Sequence, residues 1–315
     1  MNKNIFLIGT GPMAVDYAKV LDAQKQQCTV IGRGSESAQK FEEITGIKPF
    51  TGGIDDYLLH HTFPENSYVI IATGVETIMS TLLTVLNNNA KNVLVEKPAA
   101  ISITQLLSNK DLLKQYGNRV FVGYNRRFYS SVIEAQRLIN EDGGLQSLFF
   151  EFTEWAHKIE PLQKAPGIKE NWFFANSTHV VDLAFYLAGN PLQWNTFSKS
   201  GELKWHKKTN FAGAGITKSG VIFSYLSNWE SAGRWSVELL TKNRRIYLKP
   251  LESIFIQNKG SISLSEHNFD DSLDKFFKPG LYKQVEAFLD NSKIGMLTLE
   301  NHIINVEDIY SKIVN

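Results

Sequence analysis

Cysteine is almost absent from this sequence of 315 residues. The single thiol, Cys28, has no second cysteine in the chain with which to form a disulfide, so an internal disulfide framework is excluded. Cys28 lies in an apolar strand-like run, where a small buried hydrophobic side chain is a better interpretation than a reactive thiol. This cysteine usage fits a reducing compartment, and we expect the protein in the cytoplasm.

An excess of charge of one sign is also missing. The 33 lysines and arginines nearly balance the 32 aspartates and glutamates, so we expect neither nucleic acid nor an anionic membrane as a partner. No run approaches the ~18 apolar residues that span a bilayer. The first residues lead into a strand pattern without the apolar region of a signal peptide. A small molecule remains the expected partner. The sequence shows no pattern of metal ligands, so we expect no metal site.

The start of the chain has the pattern of a strand, a glycine turn and a helix. The apolar run Ile5–Ile8 is followed by Gly9-Thr10-Gly11-Pro12-Met13-Ala14 and a helical pattern through Leu21. Gly9 permits a tight turn, Gly11 lets the backbone approach a pyrophosphate, and Ala14 allows close packing of helix on strand. The helix amino terminus supplies N–H groups for phosphates. An ordinary turn would also use glycine, but the flanking elements favour a dinucleotide site formed by Gly9, Thr10, Gly11, Pro12 and Met13.

The end of the second predicted strand bears on the choice of cofactor. Gly32-Arg33-Gly34-Ser35 has no acidic residue where a fold that prefers NAD places one against the ribose hydroxyls. Arg33 can stack on adenine and pair with a 2′-phosphate, and Ser35 can donate to the same group. This pattern predicts NADP as the preferred cofactor, with NAD as the alternative. The simpler interpretation is an exposed arginine beside a helix-capping serine.

Two later strands end at further candidate site residues. Thr73-Gly74 follows the apolar run Tyr68–Ala72 and provides a second point where backbone can meet the cofactor. Lys97 and Pro98 follow the run Asn92–Glu96, and side chains beyond the carboxyl ends of parallel strands face the binding crevice. There a lysine can donate hydrogen bonds to a substrate oxygen or take part in proton transfer. A solvated lysine at a strand end is the alternative.

The alternation of strands and helices up to Gly123 predicts a doubly wound parallel sheet of the Rossmann type, a dinucleotide-binding domain of residues 1–123. Residues 124–315 contain short β-type runs and predict an α+β domain with a large, mostly antiparallel open sheet for substrate binding and oligomerisation. An open apolar sheet face predicts a homodimer or homotetramer. Two helical patterns close the chain, and the last can pack back on the first domain. The β-type runs in the middle of this domain are Val221–Leu226, Trp235–Leu240, Arg245–Leu248 and Ser253–Ile256.

A second set of polar residues precedes the apolar stripe Leu183–Leu187. Asn176, Ser177 or Thr178 can cap a helix whose first turns carry His179 and Asp182. A histidine near a helix amino terminus is favoured in its neutral form, which suits a group that accepts a proton from an alcohol. The alternative is a hydrogen-bonded structural histidine.

Aromatic side chains in this second half are candidates for stacking on a sugar ring. We expect substrate contacts from these aromatics and from polar residues near them, although aromatic residues in β-rich domains also serve simply as core. The candidate substrate-binding residues are Tyr124, Arg127, Trp155, Trp172, Asn176 and His179.

Four motifs in this order and spacing resemble the glucose-fructose oxidoreductase, inositol dehydrogenase and rhizopine-catabolism (Gfo/Idh/MocA) family over nearly the whole length. The motifs are Gly9-Thr10-Gly11-Pro12-Met13-Ala14, Glu96-Lys97-Pro98, Gly123-Tyr124-Asn125-Arg126-Arg127-Phe128 and His179-Val180-Val181-Asp182. The resemblance implies that Lys97 touches both nicotinamide and substrate, that Glu96 belongs to the cofactor site, and that His179 serves as acid or base.

The chain departs from the family pattern at three positions. Ala175 stands where members commonly have an aspartate four residues before the histidine, and Gly74 and Ile78 replace a proline and a histidine. The motifs that do match imply an NAD(P)-dependent oxidoreductase acting on a hydroxyl-bearing carbon of a sugar, cyclitol or nucleotide-linked sugar. The loss at Ala175 motivates an alternative, a cofactor-binding sensor or pseudoenzyme without turnover. Reduction of a C=N bond or a linear tetrapyrrole is a further alternative.

Overall fold

The computed structural model describes residues 3–290 and 292–315, and the chain forms two compact units. The first takes the chain up to Asn125 and adds Phe276–Ile304, and the second comprises Arg126–Lys275 and Asn305–Asn315. The late stretch 276–304 thus lies with the amino-terminal residues, although the sequence pattern had placed all of 124–315 together. Of the last predicted helix, Leu299–Lys312, residues 299–304 lie with the first unit and residues 305–312 lie with the second.

The first unit contains a six-stranded sheet in the order β14-β5-β4-β3-β1-β2. Neighbouring strands are parallel except for β14, which pairs antiparallel with β5. Their apolar runs are buried on both faces, as parallel strands between two helix layers require. This confirms the predicted Rossmann-type fold. The strands are β1 (Asn4–Ile8), β2 (Cys28–Ile31), β3 (Ser67–Ile71), β4 (Asn92–Glu96), β5 (Val120–Gly123) and β14 (Leu297–Thr298).

The late helix of the first unit explains why residues 276–304 belong there. Leu281, Val285 and Phe288 form one stripe of this helix and are fully buried in the same apolar cluster as Tyr17 and Leu21 of the first helix. A stripe with this spacing needs an apolar partner. The helices of the unit are α1 (Pro12–Ala23), α2 (Ser35–Thr45), α3 (Gly53–Leu58), α4 (Val75–Asn87), α5 (Ile103–Ser108), α6 (Lys110–Lys114), α11 (Leu281–Leu289) and, reaching one residue beyond it, α12 (Leu299–Asn305).

The second unit contains an eight-stranded sheet in the order β13-β12-β11-β10-β6-β9-β8-β7. Only the β6–β9 pair among these neighbours is parallel, which confirms the predicted mostly antiparallel sheet. The strands are β6 (Ser147–Glu151), β7 (Pro191–Lys199), β8 (Asn210–Thr217), β9 (Ile222–Asn228), β10 (Ser236–Leu240), β11 (Arg244–Leu248), β12 (Phe255–Asn258) and β13 (Ser265–Glu266).

The two faces of this sheet differ. Phe185 packs edge-on against Phe150 and Phe223, so one face is covered by a helix. On the other face Phe197 and Leu226 flank Ala212 in neighbouring strands and are exposed. The helices of the unit are α7 (Ser130–Glu141), α8 (Ala156–Ile159), α9 (Thr178–Ala188), α10 (Ser272–Phe276), which ends at the junction with the first unit, and α13 (Ser311–Val314).

Irregular helical turns complete the chain. Two turns of π-helix, Phe173–Ser177 and Val306–Tyr310, lead directly into α9 and α13, and short 3₁₀ turns occur at Gly117–Arg119 and Asn125–Phe128. Among the described residues, no helix is both long and apolar enough to cross a membrane.

Candidate functional site

The glycine turn lies between β1 and α1, as predicted. Gly9 has φ of 123°, and a Cβ atom there would lie 2.4 Å from the carbonyl oxygen of Ala72 at the end of the neighbouring strand. Only glycine fits this combination of positive φ and close backbone approach. Gly11 precedes the first residue of α1, has φ of −82°, and a Cβ there would meet nothing within 4 Å. The turn therefore leaves open space in front of the helix amino terminus, where N–H groups lack helical partners.

A cleft of about 450 Å³ opens at this turn, at the carboxyl ends of β1, β2 and β3. This volume lies within the range of about 300–1,000 Å³ typical of ligand sites. Six residues predicted to bind the cofactor line it: Gly9, Thr10, Gly11, Arg33, Thr73 and Gly74. Within the described part of the chain, the lining does not include Pro12, Met13, Ser35, Glu96 or Lys97.

The far end of the cleft is built by the residues that follow β2. Arg33 and Ser37 line it, whereas Ser35 is the exposed first residue of α2. The Ser37 hydroxyl donates to the Gly34 carbonyl at 3.1 Å and accepts from Thr10 Oγ1 at 2.9 Å. Ser37, two positions further on, thus takes the place in the cleft that we expected for Ser35.

The fold also brings acidic residues into the cleft that the β2 pattern lacks. Asp55 and Glu76 belong to the first turns of α3 and α4 and line the cleft with Arg33. Acidic side chains are favourable at helix amino termini because the helix dipole is positive there. Thr84 Oγ1 donates to Asp55 at 3.2 Å. The cleft therefore carries charges of both signs.

Glu96, at the end of β4, is engaged inside the first unit. Tyr17 Oη donates to Glu96 Oε1 at 2.6 Å and lies 3.2 Å from Gln284 Oε1. Burial raises the pKa of the Glu96 carboxyl, although the hydrogen bond from Tyr17 and the charge of Lys97 oppose this. This buried bond ties β4 to α1 and α11 beneath the position of Lys97.

Lys97 follows β4 at the same sheet edge as the glycine turn, because β4, β3 and β1 are adjacent and parallel. Its side chain is half-buried, and the Lys97–Pro98 peptide bond is cis. His302 Nε2 donates to the Pro98 carbonyl at 3.0 Å and fixes the segment. Tyr124, a predicted substrate-binding residue, is buried with its ring 5.6 Å from that of His302.

The predicted helix cap before His179 is wrong. The π-helical turn Phe173–Ser177 runs without a break into α9, so His179 does not lie at a helix amino terminus. Thr178 Oγ1 donates to the Phe174 carbonyl at 2.8 Å, a bond that competes with capping. The dipole argument for a neutral His179 therefore does not apply. The histidine is buried, with its ring 6.1 Å from that of Trp235.

Arg127 and Asp182 form a buried, two-pronged ion pair. Arg127 Nε donates to Asp182 Oδ2 at 2.7 Å, and Nη2 donates to Oδ1 at 2.6 Å. Burial opposes the charged guanidinium, but Asp182 raises the pKa of Arg127. The guanidinium also lies 4.7 Å from the ring centre of Tyr186. Arg127, predicted to bind substrate, thus joins the helical turn after β5 to α9 within the described structure.

Sequence reasoning missed a buried carboxylate, Glu154, which is bonded to residues of the π-helical turn before α9. Glu154 accepts from Ser177 Oγ at 2.7 Å and from Asn176 Nδ2 at 3.1 and 3.2 Å. Arg234 Nη1 donates to Glu154 Oε2 at 3.3 Å. Burial raises the pKa of Glu154, against the effect of these donors. Asn176, a predicted substrate residue, therefore holds a carboxylate in place.

The predicted aromatic residues have different surroundings. Trp172 is buried, with its ring edge-on to Trp205 at 6.2 Å. Trp155 is exposed, donates from Nε1 to the Gly233 carbonyl at 2.9 Å, and has the Arg234 guanidinium 4.8 Å from its ring centre. Trp155 thus lies at the surface beside a charged group, and Trp172 lies in the core.

No group of three or more histidine, cysteine, aspartate or glutamate side chains in the described ranges is placed to hold a metal ion.

Comparison of sequences identifies the first unit. Residues 3–124 match the model of a family described as an oxidoreductase family with a NAD-binding Rossmann fold, the Gfo/Idh/MocA family. This first domain matches the Gfo/Idh/MocA oxidoreductase family. The resemblance drawn from the four motifs is thereby confirmed, and so is an NAD-binding oxidoreductase domain. Comparison with curated protein sequences gives no match.

Solved structures extend the likeness of the fold to both units of the chain. An oxidoreductase from Agrobacterium radiobacter in complex with NAD⁺, L-tartaric acid and magnesium shares 14% identity at a TM-score of 0.76, over 100% of this chain and 97% of that one. A levoglucosan dehydrogenase in complex with NADH shares 18% identity at 0.75, over 100% and 96%. The UDP-N-acetylglucosamine 3-dehydrogenase of Acidithiobacillus ferrooxidans shares 12% identity at 0.70, over 99% and 98%. At these identities the likeness concerns the fold.

Proposed function

We propose that the protein is an NAD(P)-dependent oxidoreductase that moves a hydride to or from a hydroxyl-bearing carbon of a sugar, cyclitol or nucleotide-linked sugar. The glycine turn carries this proposal, because Gly9 and Gly11 leave a cleft at the sheet edge that matches the space a dinucleotide pyrophosphate needs. Sugar substrates are named for two relatives of the same fold, which supports a carbohydrate here.

The residues that line the cleft fit the cofactor. Gly9, Thr10 and Gly11 would hold the pyrophosphate, Thr73 and Gly74 would border it, and Arg33 with Ser37 would hold the adenosine end. When bound, the nicotinamide supplies the hydride chemistry. Arg33 supports NADP as the preferred form, since a guanidinium pairs well with a 2′-phosphate.

Lys97 and His179 are the residues that we assign to the substrate. Lys97 would donate a hydrogen bond to the reacting hydroxyl and orient it, and His179 would accept the hydroxyl proton. The lysine is supported by its position beyond β4 at the sheet edge of the glycine turn. The histidine is supported by its buried position beside Trp235, whose ring lies close to the guanidinium groups of Arg126 and Arg234.

The decisive experiment measures formation of reduced cofactor with NADP⁺ or NAD⁺ and a panel of sugars, cyclitols, sugar acids and nucleotide-linked sugars. We expect at least one member to support turnover, with NADP⁺ the better cofactor. Tight cofactor binding without turnover by any of them would refute the proposal. It would favour a cofactor-binding sensor, to which the buried Ala175 in place of an aspartate also points.

A further inference from the structure

Trp235 carries a buried hydrogen-bond donor. Its side chain is only 6% exposed, and Nε1 has no acceptor among residues 3–290 and 292–315. Buried polar groups nearly always have a partner, because an unmade bond leaves the cost of desolvation uncompensated. An acceptor from outside the chain would remove this cost. The ring lies 6.1 Å from that of His179, so such an acceptor would lie near the proposed proton acceptor.

Two guanidinium groups flank this indole. The Arg126 carbon Cζ lies 4.6 Å from the ring centre of Trp235, and the Arg234 Cζ lies 4.5 Å from it. Arg234 also lies 4.8 Å from the ring centre of Trp155. A guanidinium that contacts two indole rings is attracted to both ring faces. Arg234 is therefore held in one place before any ligand binds.

Arg234 has more donors than the described protein uses. A guanidinium has five N–H groups, and Arg234 makes one hydrogen bond, from Nη1 to Glu154 Oε2 at 3.3 Å. Its side chain is 40% exposed, so the remaining donors are accessible to a ligand. A planar guanidinium binds a carboxylate or phosphoryl group through two parallel hydrogen bonds.

The nearby carboxylates do not use up this capacity. Glu154 is almost fully buried and also accepts from Ser177 and Asn176, so its oxygens are already bonded within the protein. Burial raises the pKa of the Glu154 carboxyl, against the effect of its hydrogen-bond donors. Glu252 is the other acidic group that acts on Arg126, and burial lowers the pKa of Arg126. Donors therefore exceed acceptors at the Arg234 side of the cluster.

We propose that Arg234, Trp235 and Arg126 bind an anionic group of the substrate, a carboxylate or a phosphoryl group. Arg234 would supply paired donors, Trp235 Nε1 a single donor, and Arg126 positive charge beneath the ring. That the bound ligand is a substrate rests on the proposed function. It narrows the substrate class to sugar acids and to phosphorylated or nucleotide-linked sugars.

The test compares binding of glucose, glucuronate and glucose 6-phosphate to the full-length protein by calorimetry. We expect at least one anion to bind about 10-fold or more tighter than glucose, the lower end of the effect of hydrogen bonds to a charged group. Preference for glucuronate would identify a carboxylate, and preference for the phosphate would identify a phosphoryl group. Added salt should weaken binding of the anion and leave that of glucose unchanged.

Variants localise the effect. Arg234→Gln should abolish the preference for the anion, and Arg234→Lys should restore part of it. Trp235→Phe, which removes the N–H donor and keeps an aromatic ring, should weaken the preference several-fold. Arg245→Gln is the matched control, because Arg245 is 42% exposed and pairs with Glu238 on β10. That variant should bind all three probes as the unaltered protein does.

The outcomes separate this inference from the proposed function. Turnover of neutral sugars with no preference for an anion, or a preference that survives in Arg234→Gln, would overturn the inference and leave the oxidoreductase intact. Failure of both anions to bind would also overturn it. Anion binding that is lost in Arg234→Gln, without turnover of any sugar, would uphold the anion site and refute the oxidoreductase.

Discussion

Gly9 and Gly11 differ in what a side chain would meet, and this difference separates folding from cofactor binding. Gly9→Ala would place Cβ 2.4 Å from a backbone oxygen at a positive φ, so we expect a loss of at least about 2 kcal/mol of stability. Gly11→Ala meets no protein atom and should change stability by less than about 1 kcal/mol. It should nevertheless weaken NADPH binding at least ~10-fold, because the methyl group fills space meant for phosphate. Thermal unfolding and fluorescence titration measure the two effects, and unchanged binding by Gly11→Ala would count against the dinucleotide site.

Arg33 carries the predicted preference for NADP. Arg33→Ala should weaken NADPH binding by about 1.5–3 kcal/mol, the scale of a hydrogen bond to a charged group, and leave NADH nearly unchanged. Lys40→Ala is the control, since Lys40 is exposed on α2 and pairs with Glu36. Binding titrations with both cofactors decide it, and an equal loss for both would defeat the preference. The measurement is needed because Asp55 lines the same cleft and an acidic residue against the ribose is typical of a fold that prefers NAD.

Site residues could be predicted where they directly follow a strand of the parallel sheet. Gly9, Arg33 and Thr73 follow successive strands, and parallel strands bring their carboxyl ends to one edge. Glu154, Arg234 and Trp235 were missed because their proximity depends on sheet register. Ser236 pairs with Glu151 in antiparallel strands, so residues just before β10 meet residues just after β6. Nothing in the local sequence specifies that pairing across more than 80 residues.

The four predicted β-type runs of the second unit are strands, with ends within two residues of those observed. β7 and β8 were not predicted. In β8 the reason is that Gly213 and Gly215 interrupt the run, and glycine usually marks a turn. A Cβ on Gly215 would lie 2.3 Å from Trp194 Cβ in the neighbouring strand, so this glycine permits a large side chain to cross the strand. Likewise, the polar residues before His179 suggested a cap, and packing of the π-helical turn overrode that preference.

Glu134 on α7 pairs with Arg137 of the same helix and with His267 outside it, and this gives the second unit a pH-dependent contact. Arg137 donates to its carboxylate at 2.8 and 2.9 Å, and His267 Nε2 lies 2.7 Å away. The hydrogen bonds from Arg137 are the main reason that the pKa of Glu134 falls to about 2, against the opposing effect of burial. A lowered pKa in the folded state stabilises the protein above the unfolded value near 4.5, and this stabilisation is lost as the pH falls towards 2.

Glu134→Gln should therefore cost about 1–2 kcal/mol at neutral pH, reduced by solvent screening of the partly exposed Arg137. The difference from the unaltered protein should shrink between pH 4.5 and about 2. Chemical denaturation at each pH measures it. Glu36→Gln, which removes an exposed helix pair, is the control and should cost less than about 0.5 kcal/mol. A constant difference across this range would contradict the assignment.

The open face of the second unit's sheet bears on the state of the whole molecule. Phe197, Ile222 and Leu226 project from this face and are 61–73% exposed. We propose that it is buried between copies of the chain in a dimer or tetramer, because exposed apolar patches of this kind mark interaction sites. Leu226→Lys should give monomers in light scattering at micromolar concentration. Ile262→Lys, at a 97% exposed position before β13, should leave the mass unchanged. A monomeric mass for the unaltered protein would refute the proposal.

The proposed hydride transfer with the help of Lys97 is tested by measuring turnover by Lys97→Ala together with its binding of NADPH. Lys91→Ala, at the half-buried residue just before the same strand, is the matched control. We predict that kcat of Lys97→Ala falls at least ~10²-fold while the Kd for NADPH changes little, as expected when a positioned proton-transfer or orienting group is removed. Turnover of Lys97→Ala equal to that of Lys91→Ala would show that Lys97 takes no part in hydride transfer.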